Sequence, residues 1–243
     1  MVSSDEGSRR WIIGMDYMDR KTWRGFDLGL LNAPDNSLVP IFGGWYQGSD
    51  RWVGIYGQLS VDLSDKLELT LNARYDDAEA KNTNYTTQDF ATITQVLSTS
   101  GNLIDTQIEG ESEFQPKIQL AYQRNENTMF YATLSRGFRA GFFVSGNYTL
   151  GETTDNYEIG FKSTRRGGRV VLNGSLFHID YSDQQFSTIS SEPPFRIAVT
   201  IPEASIDGFE LEGTILVSEY LTMGLGLGLL DAEIKLSLIH ISE

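Results

Sequence analysis

Two arginines flank Gly137 and Phe138 in the stretch SRGFRAGFF, at Arg136 and Arg139. Each guanidinium is a planar fork of donors, and two of them at the mouth of a strand can hold an anionic chelate by charge-assisted hydrogen bonds. The same groups can instead close on nearby acids such as Glu158, or face a charged lipid surface. A second candidate is the aromatic pair Trp45 and Tyr46 in GGWYQGSDRW. Their rings can stack on an aromatic or sugar-like ligand, or anchor a protein at a membrane interface.

Reaction chemistry finds less support. Glu210 and Glu212 share one strand face, a spacing superficially like the carboxylate pair of a glycosidase. No apolar pocket that would raise one of their pKa values accompanies them, so they read as a wet face and no catalytic residue is expected. His178 is the one histidine apart from His240, and the sequence has no cysteine. Zinc and copper sites therefore lack ligands, and neither a metal site nor a cofactor is expected. Gly224, Gly226 and Gly228 lack the Lys-Ser/Thr and the strand-to-helix context of a phosphate loop.

Composition narrows the classes further. The 243 residues carry a net charge of −14, which argues against nucleic acid as a partner, since phosphate sites need clustered Lys and Arg. The longest smooth apolar run, LTMGLGLGLL, is about half of the roughly 20 residues that a membrane-spanning helix needs. The absence of cysteine suits passage through an oxidising compartment. MVSSDEGSRR has no apolar segment of the kind a secretory signal carries, so no signal is expected in this sequence.

The elements that must position these residues show a period of two. Leu67, Leu69, Leu71, Ala73 and Tyr75 fall on one face of a strand, and Glu68, Thr70, Asn72, Arg74 and Asp76 on the other. The same alternation sets Val53, Ile55, Leu59 and Val61 against Trp52, Tyr56, Gln58 and Ser60, and Leu221, Met223, Leu225, Leu227 and Leu229 against three glycines. Residues 170–183 are apolar on both faces and cannot be oriented by pattern. Strands are expected at about 9–19, 50–62, 66–80, 111–124, 128–140, 153–165, 168–184, 204–217 and 220–235. Short turns fall at 62–65, 125–127, 166–168 and 218–219, and long loops at 20–49, 81–110, 141–152 and 186–203. Strict alternation of short and long connections is the habit of an outer-membrane barrel, whose two ends face different compartments. The expected fold class is therefore all-β, an antiparallel transmembrane β-barrel segment of about nine meandering strands, with short periplasmic turns and long extracellular loops.

At SRGFRAGFF (residues 135–143), DNYEIGFKS (155–163), LNGSLFHIDYSDQQ (172–185) and IDGFELEGT (206–214), the chain resembles the barrel of TonB-dependent outer-membrane receptors. LSDKLELTLNARYDDAEAKN fits as well, and the resemblance runs from about Arg51 to Lys235. Phe142 departs from it, standing where the family usually has a second glycine. The resemblance implies a barrel of about 22 strands with a plugged lumen, in the bacterial outer membrane, in contact with lipid and lipopolysaccharide. It further implies TonB-coupled import through a plug domain, most often of a ferric siderophore, otherwise of carbohydrate or cobalamin. On this reading residues 1–235 are part of such a barrel, and the terminal LSLIHISE (236–243) resembles the translation of a sequencing adapter. The reading from a different class is a soluble carbohydrate-binding β-domain whose Trp and Tyr residues stack on sugars.

Overall fold

The computed structural model describes residues 2–4, 7–31, 38–86, 102–144, 147–189 and 196–236. The adapter-like tail lies outside them, apart from Leu236. Among the described residues the chain forms β1 (Val2–Ser4), β2 (Arg9–Leu31), β3 (Leu38–Ser64), β4 (Leu67–Thr86), β5 (Asn102–Asn125), β6 (Thr128–Arg139), β7 (Phe142–Val144), β8 (Asn147–Thr149), β9 (Glu152–Arg165), β10 (Val170–Ile189), β11 (Arg196–Ser218) and β12 (Leu221–Leu236). Ten of these make one antiparallel sheet in the order β1-β2-β3-β4-β5-β6-β9-β10-β11-β12, so every long strand pairs with its neighbour in sequence. β7 and β8 form a separate hairpin.

The short connections fall where the turn residues place them: Asp65-Lys66, Glu126-Asn127, Arg166 to Arg169 and Glu219-Tyr220. The third takes positive φ at Arg166 (54°), Gly167 (63°) and Gly168 (91°), and its two glycines occupy that region without a Cβ penalty. The long loops need correction. The described parts of segments 20–49, 81–110 and 186–203 are strand: β2 and β3 stay paired out to Leu31 and Leu38, β4 and β5 to Thr86 and Asn102, and β10 and β11 to Ile189 and Arg196, while 32–37, 87–101 and 190–195 lie outside the described residues. Polar composition marks a strand that has left the apolar layer as readily as a loop, because outside hydrocarbon both faces can be wet.

The burial pattern is the reverse of a water-soluble core. Asp76 and Asn82 are the largest fully buried side chains, whereas Ile13, Met15, Ile55, Phe114, Ile159, Leu176 and Leu229 are exposed. Such a face is stable only against hydrocarbon, since in water each of these side chains forgoes about 1.5 to 3 kcal/mol of burial. The band runs obliquely. Leu59, Leu71, Ile118, Leu134 and Tyr157 stand directly opposite one another across five strands, and the same row continues as His178, Asp207 and Asp231. On β4 the apolar face reaches Tyr75, four residues past Leu71; on β12 it stops at Leu229, two short of Asp231. The edge thus falls six residues over six inter-strand steps, roughly 20 Å along the strands against roughly 29 Å across them. That is a tilt of about 35°, within the range of membrane barrels.

Register also orients β10, which pattern could not. Leu172, Leu176 and His178 share the outward face with Ile159 and Phe209, and Phe177 points inward, where its ring covers Gly208 opposite. A Cβ at Gly208 would enter that ring, so an inward aromatic and a facing glycine fill one layer together.

If the outward face contacts hydrocarbon, Leu71→Arg lowers stability in lipid by about 2 to 4 kcal/mol, and Asn72→Arg, on the inner face, changes it by less than about 1 kcal/mol. Urea unfolding of the membrane-inserted protein, measured by tryptophan fluorescence, reads the difference.

Candidate functional site

The inner face carries two polar networks. At the turn end, Arg10 bridges the Asp62 carboxylate at 2.8 Å and also pairs with Glu68. Higher on the wall, Asp76 accepts hydrogen bonds from Trp52 Nε1 (2.8 Å), Arg74 Nε (2.8 Å) and Gln115 Nε2 (2.6 Å), and Arg74 also bridges Asp16 at 2.9 Å. β2, β3, β4 and β5 each contribute to this network. Gly54 lies beneath it, and a Cβ there would meet the side chains of Asp16, Arg74 and Asp76.

Beyond that network, at the loop end, lies a cavity of about 450 Å³ lined among others by Arg20, Trp52, Arg139, Phe142, Tyr148 and Gln185. One wall is the sheet and the other is the β7–β8 hairpin. Trp52 meets Phe138 at 6.2 Å between ring centroids, and Phe143 meets Tyr148 at 5.1 Å. Arg20 bonds Asp50 through Nε at 2.9 Å. Gln185 is 9% exposed, and its Oε1 is buried without a donor among the described residues. The cavity therefore offers aromatic edges and the exposed guanidinium of Arg139, which together suit a solute with aromatic or anionic rim groups.

Arg136 and Arg139 occupy different settings. Arg136 is committed to Asp155 through two bonds of 2.8 and 2.7 Å, and it also reaches Glu113 at 3.4 Å. Its partners are not Glu158, which accepts from the Tyr131 hydroxyl. Among the described residues Arg139 makes only long side-chain contacts, to Glu152 (3.4 Å) and the Gln185 backbone carbonyl (3.3 Å), and its side chain is 58% exposed beside the cavity. Trp45 and Tyr46 do not lie on a loop: their backbone belongs to β3, opposite Gly25 and Arg24 on β2 and Tyr85 and Asn84 on β4. Their side chains lie outside the described residues.

His178 faces outward rather than into the lumen, with Nδ1 2.8 Å from Asp207 and Nε2 3.2 Å from Asp180, beside a larger hollow of about 660 Å³. That hollow is lined by Leu134, Ile159, Leu176 and Phe209 and suits hydrocarbon rather than a polar solute. Among the described residues no three His, Cys, Asp or Glu side chains are grouped to hold a metal ion. Pattern alone missed Trp52, Tyr148 and Gln185 as cavity residues. The one available signal was Trp52, an aromatic at wet-face parity beside a buried acid.

The fold and this two-faced wall define a class, that of outer-membrane β-barrels. Residues 3–235 match the family model "TonB dependent receptor-like, beta-barrel", and the chain belongs to that family of transport receptors. Its backbone is similar to the ferric yersiniabactin uptake receptor FyuA from Yersinia pestis (13% identity, 95% of this chain and 33% of that one, TM-score 0.73). It is also similar to the ferric-catecholate import receptor Fiu from E. coli K12 in its open form (15%, 96% and 34%, TM-score 0.69) and to the copper transporter OprC (12%, 96% and 36%, TM-score 0.73). The chain spans about a third of the length of these receptors. At such identities the likeness concerns the fold. A soluble carbohydrate-binding domain does not fit this family or the outward apolar band.

Asp76→Ala leaves the Trp52 and Gln115 donors and one arm of Arg74 without their buried acceptor. The expected cost is about 3 kcal/mol. Denaturant titration of the membrane-inserted protein measures it, with Asp16→Ala, at the exposed end of the same network, costing under about 1 kcal/mol.

Proposed function

We propose that this chain is part of the wall of a bacterial outer-membrane receptor that imports a scarce nutrient, a ferric siderophore, by TonB-coupled transport. The observation that carries this reading is the loop-end cavity, where among the described residues Arg139 is held by contacts of 3.3 and 3.4 Å and keeps an exposed guanidinium. A ligand captured from outside meets this end first, since the strands there extend well past the apolar band. Arg139 contributes a charge-assisted contact to an anionic chelate, and Arg136, three residues earlier, is locked to Asp155. Trp45 and Tyr46, on the extended part of β3, are ligand contacts in the same reading.

The remaining strands of the receptor would pair with the free edges at β1 and β12, because an open edge in hydrocarbon leaves backbone groups unpaired at several kcal/mol each. A plug domain would fill the concave face and pass the pull of TonB to the ligand. Charged pairs just beyond the apolar band on the outward face, such as Lys235 with Asp180 at 2.7 Å, stand at the level of lipopolysaccharide headgroups.

The test is uptake by cells that lack their own iron receptors and express the full-length receptor carrying this chain. They are offered ⁵⁵Fe as a trihydroxamate or a triscatecholate chelate, with radiolabelled cobalamin, a maltooligosaccharide and cupric ion as competing classes. Iron accumulation that requires TonB, and that Arg139→Ala lowers about tenfold through loss of a charged hydrogen bond, is the expected result. Uptake of cobalamin, sugar or copper in its place overturns the ligand assignment.

A further inference from the structure

The β7–β8 hairpin is built from two three-residue strands and pairs with no strand of the main sheet, so its position depends on the groups that hold its base. Those groups are few and specific. On one side the Glu111 carboxylate accepts the backbone N–H of Gly141 at 2.9 Å through Oε2 and that of Gly151 at 2.8 Å through Oε1, spanning both ends of the hairpin with one side chain. On the other side Gln185 donates its Nε2 to the carbonyls of Leu150 (2.7 Å) and Ala140 (3.1 Å), and its own backbone N–H bonds Glu152 at 2.8 Å. Burial, and then the Glu111 charge, push the Tyr148 phenol above its ordinary range, so it stays a neutral donor beside that carboxylate.

Three further features show that the seat is shaped for the hairpin. β5 and β6 are in register only from Lys117 opposite Ser135 down to the turn. Above that point the two strands part, and Glu111 projects from the section of β5 that β6 no longer covers. Both clasped glycines fit closely: a Cβ on Gly141 would strike the Thr149 carbonyl and the Tyr148 ring, and one on Gly151 would displace the Glu111 carboxylate. The hairpin also approaches β4 and β11, which lie five inter-strand steps apart, roughly 24 Å along the sheet. One small hairpin reaches both only because the sheet curves around it, and the inner faces there carry the buried small side chains Ala78, Ala80 and Ala204.

We propose that Glu111 and Gln185 are positioning residues that strap this hairpin across the concave face, and that the strapped hairpin is the wall against which the loop-end cavity holds its ligand. The second half rests on the transport reading above; the first does not. Glutamine at position 111 keeps the size of glutamate but offers one carbonyl oxygen, and it sets an NH₂ group against the other glycine amide. Glu111→Gln therefore unfastens one end of the base. Gly141→Ala unfastens the same base by steric means, independently of charge.

The experiment places spin labels at Asn147→Cys on the hairpin and Ile189→Cys on the exposed end of β10 in the full-length receptor, and measures their distance distribution by pulsed electron resonance. The strap predicts one narrow distribution for the parent, and a broad one extending to longer distances for both Glu111→Gln and Gly141→Ala. Binding of the same ⁵⁵Fe trihydroxamate and triscatecholate chelates is measured beside it. An affinity about tenfold weaker in both variants supports the cavity wall, whereas Arg139→Ala weakens binding with the distance distribution unchanged. Unaltered distances in both variants overturn the strap. Broadened distances with undiminished chelate binding overturn the hairpin as the ligand's wall. A parent receptor that binds neither chelate overturns the transport reading instead, and leaves the strap to be decided by the distances.

Discussion

In a hydrocarbon layer no water is available to an unpaired N–H or C=O, and a sheet that crosses it must satisfy each of them on a neighbouring strand. Every other feature of this chain follows from that demand. The strands run as a meander because consecutive hairpins pair all interior edges with the shortest connections. They tilt by about 35° because a closing sheet must shear, and the oblique course of the apolar band from Tyr75 to Leu229 records that shear in side chains. With the backbone satisfied along the strand, side chains are free to divide between two solvents, and alternation at period two does so with the outward and inward faces of β4 as its clearest case.

The inner face meets a different problem, that of filling a concave polar surface without a core. It is solved by local closure. Asp76 is almost completely buried, yet three donors from three other residues saturate it, so the burial of a carboxylate is offset by hydrogen bonds and by the Arg74 charge. Aromatic rings laid over facing glycines, as Phe177 over Gly208, fill the same surface where polar partners are absent. The β7–β8 hairpin adds a third device, a piece of backbone held inside the curve by side chains from either flank. It separates a saturated lower wall from an upper cavity where Arg139 retains bonding capacity.

The two arginines illustrate how the wall distinguishes structural from available charge. They stand three residues apart in one strand, but Arg136 is opposite Asp155 in the β6–β9 register and is consumed by it. Arg139 is opposite Glu152, whose carboxylate is occupied by the Gln185 backbone N–H, so the guanidinium is left with long contacts. Availability is thus set by register and by competition for one acid.

Strand identity, the facing of β3, β4, β9, β11 and β12, the turns and the family resemblance were legible from residues alone, because a period-two pattern and a turn-forming pair are local properties. The reach of β2 to β5 beyond the apolar layer was not, since a polar strand and a polar loop have the same composition, and so Trp45 and Tyr46 passed for loop residues. Residues 170–183 could not be oriented until their neighbours were known: with apolar groups on both faces, only pairing with Ile159 and Phe209 distinguishes the lipid side from the lumen. Nor did sequence suggest that Glu111, thirty residues from Gly141 and forty from Gly151, would bind both. The sequence by itself determined a two-faced antiparallel wall, because alternation and turns act within a few residues. Which arginine is free, which way β10 faces and what holds the hairpin were decided only by the tertiary structure, because each depends on register between strands that the chain separates by tens of residues.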